Sequence, residues 1–348
     1  MATADLARLS SSSSRFGDPD TESVGSDQSL HPYLRPDIRR SVFQLLNTAI
    51  PFAALWYLML RSLEFSYWLT LLLAAPTAGL LVRLFIIQHD CGHGSFLPRQ
   101  RVNNAIGFVI GVLTLTPYGY WRRTHAIHHA TSGNLDRRDF GDITTLTVSE
   151  YRARSPFRRL LYRLYRHPLI LFGAGPAYLF IFKHRLPADL PLSWKREWRS
   201  VLWTNLAIVG VFALAWQTIG IVTFLKVQLP VTLLAGTAGV WLFYIQHQFE
   251  DTYWRRQPEW SYHNASIKGS SYYDLPAVIN WFTGNIGVHH VHHLCSRIPN
   301  YRLHECLREN EYLQDVTRLT LRDSIRCIRL SLWDENAQRL IAFCDLPK

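Results

Sequence analysis

Four long apolar stretches constrain this chain more than any other feature of its sequence. Each approaches the roughly 20 apolar residues that a helix needs to span the hydrocarbon core of a bilayer. Aromatic residues make up 13% of the 348 residues and charged residues only 18%, a composition that does not suit a pair of soluble domains. We therefore expect an all-α integral membrane protein with four transmembrane helices. The stretches are residues 41–60, 67–87, 201–225 and 229–245.

Two further apolar stretches, residues 105–117 and 168–182, are too short or too interrupted to span a bilayer. We expect both to form re-entrant or interfacial helices. Arg83 interrupts the second long stretch near one end. A long cationic side chain at such a position can reach the lipid headgroups, and we expect that of Arg83.

The regions outside the spans differ from them in composition. Residues 1–34 are rich in serine and lack an apolar core segment, which predicts a disordered tail and not a signal peptide. Residues 35–303 are expected to form the membrane domain. The polar chain after residue 250 is expected to form a cap of helices and loops, and residues 304–348 a cytoplasmic helical segment.

Nine of the fifteen histidines lie in three five-residue windows with the sequences HDCGH, HAIHH and HHVHH. Imidazole is the commonest metal ligand among side chains. Residues three and four apart share one face of a helix, so each window can direct two or three rings to one centre. His290 lies off that face and is expected outside the ligand set. The eight candidate ligands are His89, His93, His125, His128, His129, His289, His292 and His293.

Eight imidazoles exceed the four ligands of a single zinc ion, so two metal ions are predicted. Imidazole suits zinc, copper, iron and nickel, which leaves an oxygen-activating iron pair and a hydrolytic zinc pair both possible. A site at the mouth of apolar helices meets apolar substrates, and unactivated hydrocarbon requires oxygen chemistry. The sequence contains no ExxH, HExxH or GxSxG motif, which argues against soluble di-iron, zinc protease and lipase sites.

Further candidates lie near these windows. His247 follows the last span and would reach the same layer as the clusters, so it is a candidate ninth ligand. Metal-bound histidines usually donate their second N–H to a carboxylate or a similar acceptor. The candidate partners around the ligands are Asp90, Asp139, Asp142, Glu250, Asp274 and His290.

Charge predicts the orientation of the chain in the membrane. The three windows can form one site only if an even number of crossings separates them. Arginines before the first span and around the first two windows place this face, and both termini, in the cytoplasm. No acidic residue occurs between Tyr151 and Ala188, while eight basic residues do. The net charge of +11 therefore indicates contact with anionic lipid and no nucleic acid partner.

The order of the three windows, with a transmembrane hairpin before the third, resembles the membrane fatty acid desaturase family. The strings HDCGHGSF, THAIHHATSGNLDRRDFGDITTLTVSEY and NIGVHHVHHLCSRIPNYRL look like the acyl-lipid desaturases of the omega-6 or Δ12 group. The resemblance covers residues 36–303. It implies four membrane helices under a cytoplasmic cap, with a di-iron centre held by the eight clustered histidines and His247. Some relatives carry Asn one helical turn before that last histidine, where this chain has Phe243.

The resemblance also implies a reaction. O₂ and two electrons would be consumed to place a cis double bond in a lipid-linked acyl chain held in a bent apolar tunnel. The chain has no HPGG-type cytochrome b5 signature, so a separate ferredoxin or cytochrome b5 type donor is expected. The basic segment of residues 152–166 could dock such a donor or contact anionic lipid. Candidate tunnel residues are Trp121, Tyr244, Trp281 and Phe282.

Two alternatives remain at this point. A di-iron hydroxylase or ketolase of an alkane, fatty acid or carotenoid would share the same metal site and the same first hydrogen abstraction. A histidine-lined metal transporter or sensor would need polar metal-binding residues within the spans, and the four stretches contain almost none.

Overall fold

Four helices of this protein are long and apolar enough to cross a membrane, which confirms the predicted all-α architecture. The structure is a computed structural model that describes residues 28–138 and 141–346. The four helices have 24–27 residues each, about 36–40 Å at 1.5 Å per residue. The α-helices are α1 (Ile38–Ser62), α2 (Tyr67–His93), α3 (Gln100–Leu113), α4 (Tyr118–Thr131), α5 (Val148–Arg152), α6 (Pro156–Arg166), α7 (Gly175–Ala177), α8 (Lys195–Thr218), α9 (Ile221–His247), α10 (Tyr262–Lys268), α11 (Ala277–Phe282), α12 (His289–Leu294), α13 (Leu303–Glu309) and α14 (Leu321–Cys327).

Helix α2 lies at the centre of the bundle. Of its most apolar window 61% is buried inside the protein, against 17–22% for the other three long helices, whose apolar surfaces are left for lipid. Helices α1, α3 and α9 pack around α2. Ala74 and Ala78 of α2 are buried, and such small side chains let neighbouring helices approach closely. Because α2 continues to His93 before ending at Gly94, it carries the first histidine window from the bundle into the cap.

The second membrane hairpin turns earlier than predicted. The expected break at residues 226–228 is wrong, because α8 ends at Thr218 and α9 begins at Ile221. Gly220 makes the turn with a φ of +80°, a conformation that glycine adopts at little cost. Pro230 lies inside α9 and leaves the carbonyl of Lys226 without its usual helical donor. The hydroxyl of Tyr67 donates to that carbonyl at 3.5 Å.

Arg83 does not reach for the headgroups as expected. Its side chain is buried: Nε donates to Thr48 Oγ1 at 3.1 Å, and Nη1 donates to the carbonyl of Trp281. The guanidinium lies 4.2 Å from the centre of the Trp281 ring. The expectation failed because Thr48 of α1 and Trp281 of α11 supply the acceptors that water would otherwise provide.

The two short apolar stretches form short helical segments. Residues 105–113 of the first stretch form the end of α3, and residues 114–117 lie beyond it. The second stretch, 168–182, overlaps the apolar segment Ile170–Lys183, which has two π-helical turns. Helix α3 and this segment each have 14 residues, about 21 Å of helix. Neither can cross about 30 Å of hydrocarbon.

The cap contains β-structure that the expectation of helices and loops did not include. The strands are β1 (Leu146–Thr147), β2 (Tyr272–Tyr273), β3 (Arg318–Leu319), β4 (Leu330–Asp334) and β5 (Arg339–Ala342). Strand β4 pairs with β1 in parallel and with β5 antiparallel, and β2 pairs with β3 in parallel. The segment 304–348 is therefore not purely helical. Asp334 makes the hairpin turn by accepting the N–H groups of Asn336 and Ala337.

The prediction of a disordered tail over residues 1–34 does not hold for residues 28–33. Residues 1–27 lie outside the described part of the chain, but Gln28–Tyr33 form a 3-10 helix. Leu30 and Tyr33 are buried in the core of the cap, and the Tyr33 hydroxyl donates to Glu309. Apolar contact with the cap explains why this part of the tail is ordered.

Candidate metal centre

The structure brings all nine predicted ligand histidines together where the bundle meets the cap. His89 and His93 lie on the last turns of α2, and His247 is the last residue of α9. Helix α4 supplies the second window and the short helix α12 the third. Within each helix the three- and four-residue spacings place the rings on one face, as predicted. Four separate elements therefore converge on one small volume.

The nine side chains divide into two groups, and in each group one ring nitrogen per histidine lies within 4.8 Å of all the others. The five-histidine group contains His89, His93, His125, His129 and His292. The four-histidine group contains His128, His247, His289 and His293. The groups adjoin, because the rings of His129 and His293 stack with their centres 4.1 Å apart. The second and third windows each contribute to both groups.

Ring nitrogens in both groups have the spacing that a shared metal ion requires. Two imidazole nitrogens bound at right angles to one ion at about 2.1 Å lie about 3.0 Å apart. The observed separations between Nε2 atoms are 3.1 Å for His125–His129, 3.1 Å for His129–His292, 3.2 Å for His128–His247 and 3.0 Å for His247–His289.

The hydrogen bonds of the four-histidine group direct lone pairs toward one another. Nδ1 of His247 lies 3.0 Å from the carbonyl oxygen of Gly269, which can only accept. Nδ1 of His128 lies 2.6 Å from the carboxylate of Asp142. Neutral rings with Nδ1–H donated in this way present unprotonated Nε2 atoms to each other. A bound cation resolves that repulsion, so the donor set fits a metal ion.

Two further observations support the same fit. Nε2 of His93 and Nε2 of His293 are buried and have no hydrogen-bond partner among the described residues. Burial also lowers the pKa of the ring in His125, His129 and His292 well below its usual value, with neighbouring imidazoles adding to the effect. Unprotonated rings are the form that binds metal.

Two of the predicted outer partners contact ligand histidines. Asp142 accepts from His128, and Gly141 beside it takes a φ of +79°. A Cβ at Gly141 would lie 2.9 Å from the Cβ of His128, so glycine permits the close approach. Asp90 Oδ1 lies 3.3 Å from Nδ1 of His89, and Asp90 Oδ2 accepts two hydrogen bonds from Asn300.

The other predicted outer partners lie elsewhere. Glu250 pairs with Arg339, and Asp274 pairs with Arg318, both at the surface of the cap. His290 lies outside both groups, and its Nε2 is 3.0 Å from the carbonyl oxygen of Leu313. Asp139 falls outside the described residues.

Of the four predicted tunnel residues, Trp121 contacts a ligand histidine, and the contacts described here for the other three are with other parts of the protein. Trp121 stacks on His125 with ring centres 4.5 Å apart and planes 17° apart. The Tyr244 hydroxyl instead donates to backbone carbonyls of Cys327 and Leu330 in the cap. Trp281 covers Arg83, and Phe282 packs on Gly79 of α2.

Sequence reasoning missed three contributors to the site. Phe243 packs 5.0 Å from the ring of His128 and 5.3 Å from that of His247. Its position one turn before His247 was the available signal. No sequence signal pointed to the carbonyl of Gly269 or to the side chain of Asn300, because neither residue belongs to a histidine window.

Comparison with known proteins agrees with this geometry. Residues 66–319 match the family described as fatty acid desaturase. The chain belongs to the fatty acid desaturase family. This desaturase is 47% identical over 311 residues to a protein named fatty acid desaturase from Bacillus subtilis (strain 168), covering 89% of this chain and 88% of the relative. It is therefore an oxidoreductase that desaturates fatty acids.

More distant relatives carry more specific names. Over 237 residues the desaturase is 34% identical to the sn-1 acyl-lipid omega-3 desaturase (ferredoxin) of Synechocystis sp. (strain ATCC 27184 / PCC 6803 / Kazusa), covering 63% of this chain and 61% of that relative. It is 27% identical over 242 residues to the sn-1 oleoyl-lipid 12-desaturase of the same organism, covering 67% of each.

Replacing Asp142 by Asn should weaken metal binding about 10- to 100-fold, because an amide holds the ring of His128 less firmly than a carboxylate. Competition with a coloured chelator on the purified protein measures the affinity. Glu250→Gln is the matched control and should leave the affinity unchanged, since among the described residues the ion-pair partner of Glu250 is Arg339. Equal affinities for Asp142→Asn and the intact protein would contradict the assigned contact.

The metal-free protein should lose stability on acidification between about pH 7 and pH 5.5. Its buried imidazoles, among them His289 and His293, have folded-state pKa values below the unfolded value of about 6.5. The unfolded chain therefore binds more protons in this window, and stability falls as pH falls. Thermal unfolding followed at several pH values measures this, and an unfolding temperature that rises toward pH 5.5 would refute it.

Proposed function

We propose that this desaturase inserts a cis double bond into a lipid-linked acyl chain at a pair of iron ions, using O₂ and two electrons from a separate donor. The observation that carries the proposal is the pair of adjoining imidazole groups, five and four, at one end of four apolar helices. We further propose the Δ12 or omega-6 position for the new bond.

The proposed ligands are the two histidine groups as defined above. An all-imidazole set accepts several transition metals, but zinc has no redox chemistry and desaturation is an oxidation. Iron bound there would supply the O₂ chemistry that removes one hydrogen from each of two adjacent methylenes. The overall reaction balances because two hydrogen atoms from the acyl chain, two electrons from the donor and two protons reduce O₂ to two waters.

The chain's own side chains would orient the site and limit access to it. Asp90, Asp142 and the Gly269 carbonyl hold three of the imidazoles by Nδ1. Trp121 and Phe243 place aromatic rings against the histidines. There they would exclude water and form part of the wall around the acyl chain. Tight positioning of this kind can supply much of a rate enhancement.

The names of relatives support the substrate and the donor. The Synechocystis relatives are named for sn-1 acyl-lipid and oleoyl-lipid substrates, and one name includes ferredoxin. Helices with apolar outer faces would let such a substrate arrive from the bilayer. A ferredoxin or a cytochrome b5 type protein is proposed as the donor. The 12-desaturase name supports Δ12, while the omega-3 names make another position the outcome to test.

We propose that the histidine end of the bundle and both termini lie in the cytoplasm. Exposed arginines at the start of α1 and around the first two histidine windows support this orientation. A cytoplasmic site would also be reached directly by a soluble electron donor.

Expression of the intact chain in a host that lacks this activity should yield a new cis unsaturated acid. Fatty acid profiling by gas chromatography and mass spectrometry, with the double bond mapped, should place it at Δ12. His128→Ala should abolish the product and lower bound iron, because it removes one nitrogen of the four-histidine group. His304→Ala is the control, since His304 lies outside both groups and contacts Asn280, and it should keep both.

Other results separate the parts of the proposal. A double bond at another carbon would overturn Δ12 and keep the desaturase. A hydroxylated acid would favour the hydroxylase alternative. Full activity of His128→Ala would refute the ligand assignment.

A further inference from the structure

Helix α6 (Pro156–Arg166) presents its apolar side to the outside, while three of its four arginines, Arg159, Arg163 and Arg166, donate hydrogen bonds within the protein. Phe157, Leu160, Leu161 and Leu164 follow the spacing of one helix face, and 45–67% of each residue is exposed. On the opposite face Tyr162 and Arg166 are buried. A helix on a water-exposed surface has the reverse arrangement.

Three arginines of α6 donate hydrogen bonds to other groups of the protein. Arg159 donates to the carbonyl of Arg154 at 2.9 Å, Arg163 donates to the hydroxyl of Tyr151 at 2.7 Å, and Arg166 donates to Gln248 Oε1 at 2.9 Å. These bonds fix the helix on the cap with its leucines outward. The exposed apolar stripe is thus imposed by the fold and needs a lipid environment.

A groove of about 420 Å³ runs along the border between the two faces. It is lined by Thr144, Arg154, Arg158, Leu161, Tyr162 and Tyr165. Arg154 and Arg158 have no carboxylate within ion-pair distance in the described residues. The local sequence offers none either, since residues 151–188 contain no acid. The groove joins two uncompensated cations to an apolar wall.

We propose that this groove binds one anionic phospholipid. Its phosphate would contact Arg154 and Arg158, and an acyl chain would lie along Leu161 and the exposed stripe. Planar guanidinium groups suit phosphate oxygens. The lipid is distinct from the acyl substrate, because no residue that lines the groove belongs to α2, α4, α9 or α12, the helices that carry the histidine groups.

The apolar stripe favours a lipid over an acidic protein as the occupant. A soluble electron donor would match the charge of the arginines but would bury the leucines only while it was docked. A phospholipid can pair with the arginines and cover the leucines at the same time, since one molecule carries both a phosphate and hydrocarbon chains. The segment Ile170–Lys183, which follows α6 in the chain, also exposes apolar side chains, among them Tyr178 and Phe182.

Native mass spectrometry of the purified full chain, with dioleoyl phosphatidylglycerol or dioleoyl phosphatidylcholine added, tests the proposal without turnover. The intact chain should retain one phosphatidylglycerol in preference to phosphatidylcholine. Each arginine facing an anionic headgroup contributes about 1 kcal/mol, so Arg154→Gln/Arg158→Gln should weaken phosphatidylglycerol binding roughly 30-fold. Arg158→Gln alone should weaken it about fivefold.

Arg322→Gln/Arg329→Gln removes two exposed arginines outside the groove and should leave lipid binding unchanged. Equal binding of the two lipids to the intact chain, or unchanged phosphatidylglycerol binding in the groove variant, would overturn the proposal. A groove variant with unchanged lipid binding and a raised KM for reduced ferredoxin would assign the surface to the electron donor. Because binding is read directly, an error in the proposed reaction would not alter the result.

Discussion

Imidazole rings packed with their ring nitrogens facing one another are the feature on which the rest of this structure depends. A buried polar atom without a partner costs about 1–3 kcal/mol, and this site directs several lone pairs into the same space. Nε2 atoms 3.0–3.2 Å apart are close enough to share one cation. Metal binding at this site would therefore add to the stability of the folded chain.

The bundle and the cap can be understood as the means of holding those rings. Helix α2 is the most buried of the four long helices, and it carries His89 and His93 at its end. Helix α9 ends at His247, and the next residue, Gln248, accepts from Arg166 of α6 and from Thr145. The position of His247 is thus tied to helix α6. The proposed lipid in the α6 groove would contact that same helix.

Much of the architecture and of the histidine cluster could be predicted from the sequence. Apolar length predicts the four long helices, and the three- and four-residue spacing of the histidines predicts which rings share a face. The division into five and four could not be predicted, because it depends on how α4 and α12 rotate against α2 and α9. The rotation sends His128 to one group and its neighbour His129 to the other.

The failures have physical causes as well. Lys226 and Gln228 looked like a loop, but Gln228 accepts from Trp56 inside the bundle and Gly220 supplies the turn. Asp274 and Glu250 lie near histidine ligands in the sequence. In the fold, however, Arg318 pairs with Asp274 and Arg339 pairs with Glu250. Gly269 contributes only a backbone carbonyl, which no side-chain pattern records.

Anomalous diffraction at the iron absorption edge, from crystals of the iron-loaded protein, tests the central claim most directly. The account predicts two peaks, one among the nitrogens of the five-histidine group and one among those of the four-histidine group. A single peak, or peaks outside these two groups, would contradict it.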